Sequence, residues 1–192
     1  MTRDQWAIFV EGGDDQTFVE SLVEHLDLDL SGFEVKQIGG GVNRLPSAEN
    51  NIQRRYDAGR KIAMILDADQ DIAMRRQEVT KQIKDLSPPL SEEHVFLLPD
   101  NCRAGNLETL LEELAVSTHW AIFNCLDVYG TCLLQASESY LPPGGKGRVY
   151  AYCEALRVEP RDTKREYLNA GWWDLSAPVV EPLSPFLRSL ST

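Results

Sequence analysis

Three stretches limit what this chain can become: WAIFV (6–10), IAMIL (62–66) and VFLLP (95–99). Each is a strand-length apolar run, rich in β-branched or aromatic residues, with no polar residue alternating through it. A strand of that kind has no face to give to water, so both of its faces must be covered. A weaker run, FEVKQI (33–38), is stopped by the glycines at 39–41.

Helical spacing fills the gaps. From Asp15 onward Phe18, Val19, Leu22, Val23 and Leu26 recur on one face, with Asp14 or Asp15 available to cap the first turn. Residues 47–59 form a second helix, with Ser47 as N-cap and Gly59 as its stop. Ile72, Val79, Ile83 and Leu86 mark a third, ended by SPP at 87–89. Strand and helix alternating from 6 to 99 predict an α/β fold with a parallel sheet covered by helices on both faces. Right-handed crossovers then put all strand carboxyl ends on one edge.

The rest reads as mainly helical. Segments 106–114, 119–137 and 148–156 are helices, the second interrupted in composition by Gly130, and 141–147 (LPPGGKG) is a loop. The tail, with Trp172, Trp173 and spaced prolines, is an irregular packed segment with a last short helix. The expected organisation is a core at 1–115 and a helical extension at 116–192 packed on it, or a single domain.

Every strand end carries polar residues. The first ends in Glu11-Gly12, the second in Gly39-Gly40-Gly41, the third in Asp67-Ala68-Asp69 and the fourth in Pro99-Asp100-Asn101. Ligands of open parallel sheets bind at this edge. Two carboxylates about 4 Å apart repel by roughly 4 kcal/mol at an effective dielectric near 20. Several together demand protonation or a cation. Asp67 and Asp69, two apart on an extended segment, point to one side. With Glu11 they suit a hard divalent ion, Mg2+ or Mn2+. Read singly, Asp69 or Asp71 can cap the following helix, and Glu11 can be a solvated loop acid.

The net charge of −11 over 192 residues argues against non-specific coating of nucleic acid. Any polyanion needs bound cations or a local basic path. Arg54 and Arg55, or Arg75, Arg76, Lys81 and Lys84, are the candidates for that path, against the plainer reading of a solvated helix face. The four cysteines lack CxxC spacing and the three histidines are scattered, which argues against zinc and for buried reduced thiols. No apolar run has membrane-span length and the first residues do not form a secretory signal, so the expected location is the cytoplasm, with no membrane partner.

FVEGGDDQTFVESL and IAMILDADQD together resemble the two motifs of Toprim domains: strand, glutamate, glycine and helix, then a strand leading to DxD. The IGGG run and the order of elements agree, over roughly residues 5 to 100. The resemblance extends to small Toprim-like proteins related to OLD-family nucleases. It implies Mg2+- or Mn2+-dependent phosphodiester hydrolysis of nucleic acid. Glu11, Asp67, Asp69 and Glu108 would be the metal ligands, Glu11 and Lys146 the catalytic residues, and Asp15 a nearby acid. Glu108 follows Leu107 on a helix and faces away from the leucine stripe, or nearly so; Glu112 shares a similar face. No GxxxxGK[ST] phosphate loop accompanies these motifs, so targeting or regulation would fall to a protein partner. Two other readings compete. One is a DxD phosphatase or phosphotransferase of the haloacid dehalogenase type, although its strand would be first rather than third and Asp71 stands where Thr or Val is usual. The other is a Toprim-like module that binds a partner without turnover.

Overall fold

A computed structural model describes residues 5–87, 89–157 and 166–191 of the protein. Residues 1–4 of the leading segment and Pro88 of the SPP stop lie outside the described residues. Strands β1 (Trp6–Val10), β2 (Phe33–Gln37), β3 (Lys61–Asp67) and β4 (Val95–Leu98) form a parallel sheet in the order β2-β1-β3-β4. Helices α1 (Gly13–His25), α2 (Leu45–Asp57) and α3 (Ile72–Asp85) connect them. Helices α4 (Leu107–Leu114), α5 (Trp120–Ala136), α6 (Gly145–Leu156) and α7 (Leu183–Leu190) follow.

The apolar strands are covered on both faces. Ile8, Val10, Ile65 and Phe96 pack with Phe18, Val19 and Leu22 of α1. The residues between them, Phe9, Met64, Leu66 and Leu97, pack with Leu45 and Ile52 of α2 and with Val79 and Ile83 of α3. Strand alternation thus divides one continuous apolar run between two cores.

The C-terminal part shares the α1-side core. Leu110, Leu111 and Leu114 of α4, Val149 and Tyr152 of α6, Trp173, and Leu183 and Leu187 of α7 belong to the same buried cluster as β1 and β3. Aromatic rings run through it: Phe18 to Tyr167 at 5.5 Å, Tyr167 to Trp173 at 5.8 Å, Trp173 to Tyr152 at 5.0 Å and Tyr152 to Phe123 at 5.2 Å between centroids. Trp173 is core, and Trp172 is half-buried.

Several ends differ from the sequence reading. Helix α2 begins two residues earlier, at Leu45, with Pro46 in its first turn, so Ser47 is not its N-cap. Pro suits that position because its missing N–H has no partner to lose there. Helix α6 begins at Gly145 and takes in Lys146, which the sequence reading placed in a loop. Gly130 does not break α5; a Cβ there would lie 3.0 Å from Pro142 Cβ, so the bare backbone lets the following loop pack close. The cysteines correct the expectation of buried thiols: Cys102, Cys125 and Cys132 are exposed and Cys153 is half-buried. Among the described residues, no helix is long and apolar enough to cross a membrane.

Candidate metal-binding site

The strand order reverses between β1 and β3. The connection leaving β1 runs outward to β2, and the one leaving β2 crosses back past β1 to β3. Such a switch point opens a crevice at the carboxyl edge. β1 and β3 pair with Val10 opposite Ile65; Glu11 follows Val10, and Asp67, the last residue of β3, pairs with Leu98 of β4 at that opening. Two helices bring further acids. Asp15 lies in the first turn of α1 and Glu108 in the first turn of α4. The partial positive charge of a helix N-terminus favours carboxylates there.

These acids are tied into the backbone. The Asp67 N–H donates to Glu11 Oε1 (3.2 Å), the Leu107 N–H to Asp67 Oδ1 (3.0 Å) and the Gly12 N–H to Asp15 Oδ2 (3.0 Å). Glu108 differs. It is 3% exposed and, among the described residues, has no hydrogen-bond or ion-pair partner. By sequence Glu108 is either a solvated helix acid or a ligand; the fold buries it. Gly145 makes room for it, since a Cβ there would lie 3.0 Å from Glu108 Cβ.

Burial and mutual repulsion raise the affinity of this group for protons. Burial, with the nearby charges of Asp15, Glu11 and Glu108, pushes Asp67 up to about 8. Burial pushes Glu11 up to about 7, against the opposing pull of Arg75 and the Asp67 amide. Asp15 is raised too, by burial and by Glu108 and Asp14, although its own and the Gly12 amides work against the shift.

Asp69 takes another path. It has φ +55, its carbonyl accepts the Gly105 N–H (2.7 Å), and its side chain is 57% exposed and paired with Arg75. The chain leaves its extended course after Asp67, so the two side chains of DxD turn to different partners rather than to one side. Asp71 is the helix cap: its Oδ1 accepts the N–H groups of Ala73 (2.9 Å) and Met74 (3.0 Å).

In the sequence Arg75 is only one residue of a candidate basic path or a solvated helix face. It is 11% exposed. Its Nη2 lies 3.3 Å from Glu11 Oε1 and pairs with Asp69, while its Nε donates to the Asp67 carbonyl (2.8 Å). Among the described residues, no three acids stand in a ligating arrangement around a common point. Glu11 and Asp69 are held instead on the guanidinium.

The other nominated residues separate clearly. Lys146 is exposed in the first turn of α6, next to the glycine that packs on Glu108. Glu112 is paired with Arg148 (2.9 Å). Arg76 donates to the Asn101 carbonyl (2.8 Å) and Arg55 pairs with Glu34 (3.1 Å), which leaves neither for a basic path. Asp100 accepts the Cys102 and Arg103 amides (both 2.9 Å) and closes the turn after β4. A cleft of about 530 Å3 opens beside Glu11, walled by Asp69, Arg75, Glu78 and Lys81. A separate cavity of about 460 Å3, walled by His25, Trp120 and Trp173, is lined by none of these acids.

No curated protein and no solved structure matches this chain. One family model does, described as "Protein of unknown function (DUF3226)", and it spans residues 5–192. The four strands, the acids at their ends and the C-terminal helices all fall within that span, and the chain belongs to the DUF3226 family.

Proposed function

We propose that this protein is a Toprim-like, metal-dependent phosphodiesterase that hydrolyses nucleic acid, with Mg2+ or Mn2+ as its cofactor. One observation carries the reading. Glu108 is 3% exposed, has no hydrogen-bond or ion-pair partner among the described residues and lies close to Asp15 and Asp67 at a topological switch point, so a cation there would offset the repulsion of the group. Only oxygen donors are present there, which suits a hard divalent ion.

In this reading Asp67, Glu108, Glu11 and Asp69 would hold the ion after their side chains turn toward a common point, which no three acids share as they stand among the described residues. Asp15 adds charge behind them. The ion would polarise the phosphoryl group and lower the pKa of water. Glu11, at the boundary of the cleft, would orient the attacking water beside the ion. Lys146 neutralises phosphate charge from the first turn of α6. Lys81 gives the cleft a positive wall, but most nominated bases are paired inside the protein, so binding is weak and falls steeply with salt. The exposed free thiols suit a reducing, cytoplasmic setting.

A binding module without turnover is favoured by one separate observation. Helix α5 carries a single charged residue, Asp127, and leaves Trp120, Val128, Tyr129 and Leu134 exposed, a surface of the kind that protein partners cover. A phosphoaspartate route is less suited: the strand that ends in Asp67 is third rather than first, and Asp71 caps α3. The deciding experiment incubates wild type and Asp67→Asn with single-stranded DNA, duplex DNA and RNA, each with Mg2+, with Mn2+ and with chelator. Cleavage that needs metal and drops by roughly a hundredfold or more in the variant is expected. Equal cleavage by both proteins, or none under any condition, rules the reading out.

A further inference from the structure

The cavity of about 460 Å3 stands apart from the acids at the sheet edge. Its walls come from the last turn of α1, the end of α4, the start of α5 and the tail between Tyr167 and Pro178. Asp15 lies in the first turn of α1 and His25 in its last, so about 15 Å of helix separates the two places.

We propose that this cavity binds a small organic cation, one carrying a quaternary or methylated ammonium group. The site is independent of the phosphodiesterase reading.

Three observations point to that chemistry. The first is the rings. Trp120, Tyr167 and Trp173 all wall the cavity. A positive centre within about 6 Å of such a ring is drawn to its face, most strongly to that of Trp. The protein itself holds two of the rings. Trp120 is 56% exposed, yet its Nε1–H donates to the Ala115 carbonyl (3.2 Å). Trp173 is packed between Tyr152 (5.0 Å) and Tyr167 (5.8 Å). Fixed walls lower the ordering cost of binding.

The second is charge. Glu113 and Asp174 line the cavity, and among the described residues no Lys or Arg does. Arg103 pairs with Glu113 (2.6 Å) from outside the lining. Asp174 Oδ1 accepts only the Ser176 N–H (3.0 Å), and among the described residues Asp174 has no ion-pair partner. A carboxylate so placed attracts cations and repels anions. The third is the mixture of surfaces. Small-molecule pockets of this size combine apolar walls with a few polar groups. Here His25 Nε2 and Ser176 Oγ, 3.1 Å apart, can meet a hydroxyl or ether next to the charged centre. A bare ammonium is compact and strongly hydrated. Methyl groups spread its charge and pack against rings, so the walls favour the methylated form.

The test titrates the full-length chain in metal-free buffer with choline, with benzyltrimethylammonium, and with the uncharged alcohol in which carbon replaces the choline nitrogen. The indole N–H resonances of the four tryptophans report binding by NMR. Both cations should shift the Trp120 and Trp173 signals saturably, and the alcohol should bind at least about tenfold more weakly than choline. Trp120→Ala and Asp174→Asn, each with the wild-type circular dichroism spectrum, should weaken the cations by roughly three- to tenfold. Asp67→Asn, at the other end of α1, should bind them as the wild type does, whether or not the protein cleaves nucleic acid. The proposal is overturned if neither cation saturates, if the alcohol binds as well as choline, or if neither Trp120→Ala nor Asp174→Asn weakens binding.

Discussion

Asp67 ends β3 with one carboxylate oxygen bonded to the Leu107 amide, within electrostatic reach of Glu11, Asp15 and Glu108. That position has a cost that depends on pH. Below its ordinary value of 3.8 the carboxyl is protonated in folded and unfolded chains alike. Between there and about 8 the unfolded chain releases a proton that the folded protein keeps, so stability falls as pH rises, by up to about 1.4 kcal/mol per pH unit for each such group. Above about 8 the penalty is complete. Glu11 contributes in the same direction between 4.5 and about 7. In metal-free buffer the urea midpoint therefore drops from pH 5 to pH 8. Asp67→Asn is expected to flatten that drop and to raise the midpoint at pH 8. A pH dependence as steep in the variant as in wild type would show that Asp67 is not the group responsible. Divalent ion added at pH 8 stabilises the wild type more than the variant, because an ion bound only by the folded state adds its binding free energy.

Helix starts and strand ends place these residues, and two glycines show how tightly. Gly105 has φ +144 and donates its N–H to the Asp69 carbonyl, which fixes the turn that carries Asp69 to Arg75. A Cβ there would lie 2.9 Å from Pro99 Cδ and 3.1 Å from Thr109 Oγ1. Gly105→Ala thus meets both an unfavourable backbone angle and a clash. It is expected to lower stability by about 1–3 kcal/mol, read from the urea midpoint, and to cut activity by moving Asp69 and the first turn of α4. Wild-type stability in Gly105→Ala would mean that the loop relaxes freely. At this scale much was legible. Apolar runs and helical spacing located the strands and helices, because burial imposes periods of 2 and 3.6 on the chain. GGKG at the start of α6 looks like a loop by composition. It is helical because α6 packs against α4 through Gly145, a contact that no local pattern announces.

Across the whole molecule, the sheet and the C-terminal helices share one buried cluster on the α1 side. Trp173 sits inside it at 1% exposure, between Tyr152 and Tyr167, and its segment bridges to Ala115 at the end of α4. Trp173→Ala opens a cavity at the junction and is expected to cost about 3–5 kcal/mol. Because α4, which carries Glu108, packs in the same cluster, unfolding followed by α1-side and C-terminal probes should be a single transition, with the midpoint lowered for both. Two separate transitions, with only the C-terminal one shifted, would show that the extension folds independently of the sheet.

Local patterning along this chain was enough to specify a parallel α/β sheet, its strand ends and the acids Glu11, Asp67 and Asp69 at its rim, because an apolar run without a polar face can be buried in few ways. It could not say that Glu108 would be buried with no partner among the described residues, that Asp69 would turn outward, or that Arg75 would close over both strand ends. Those outcomes depend on α3, α4 and α6 meeting around the switch point. Charge, burial and hydrogen bonding at such a meeting are properties of residues 40 and more positions apart, Asp67 and Leu107 among them, and only the folded chain brings them into contact.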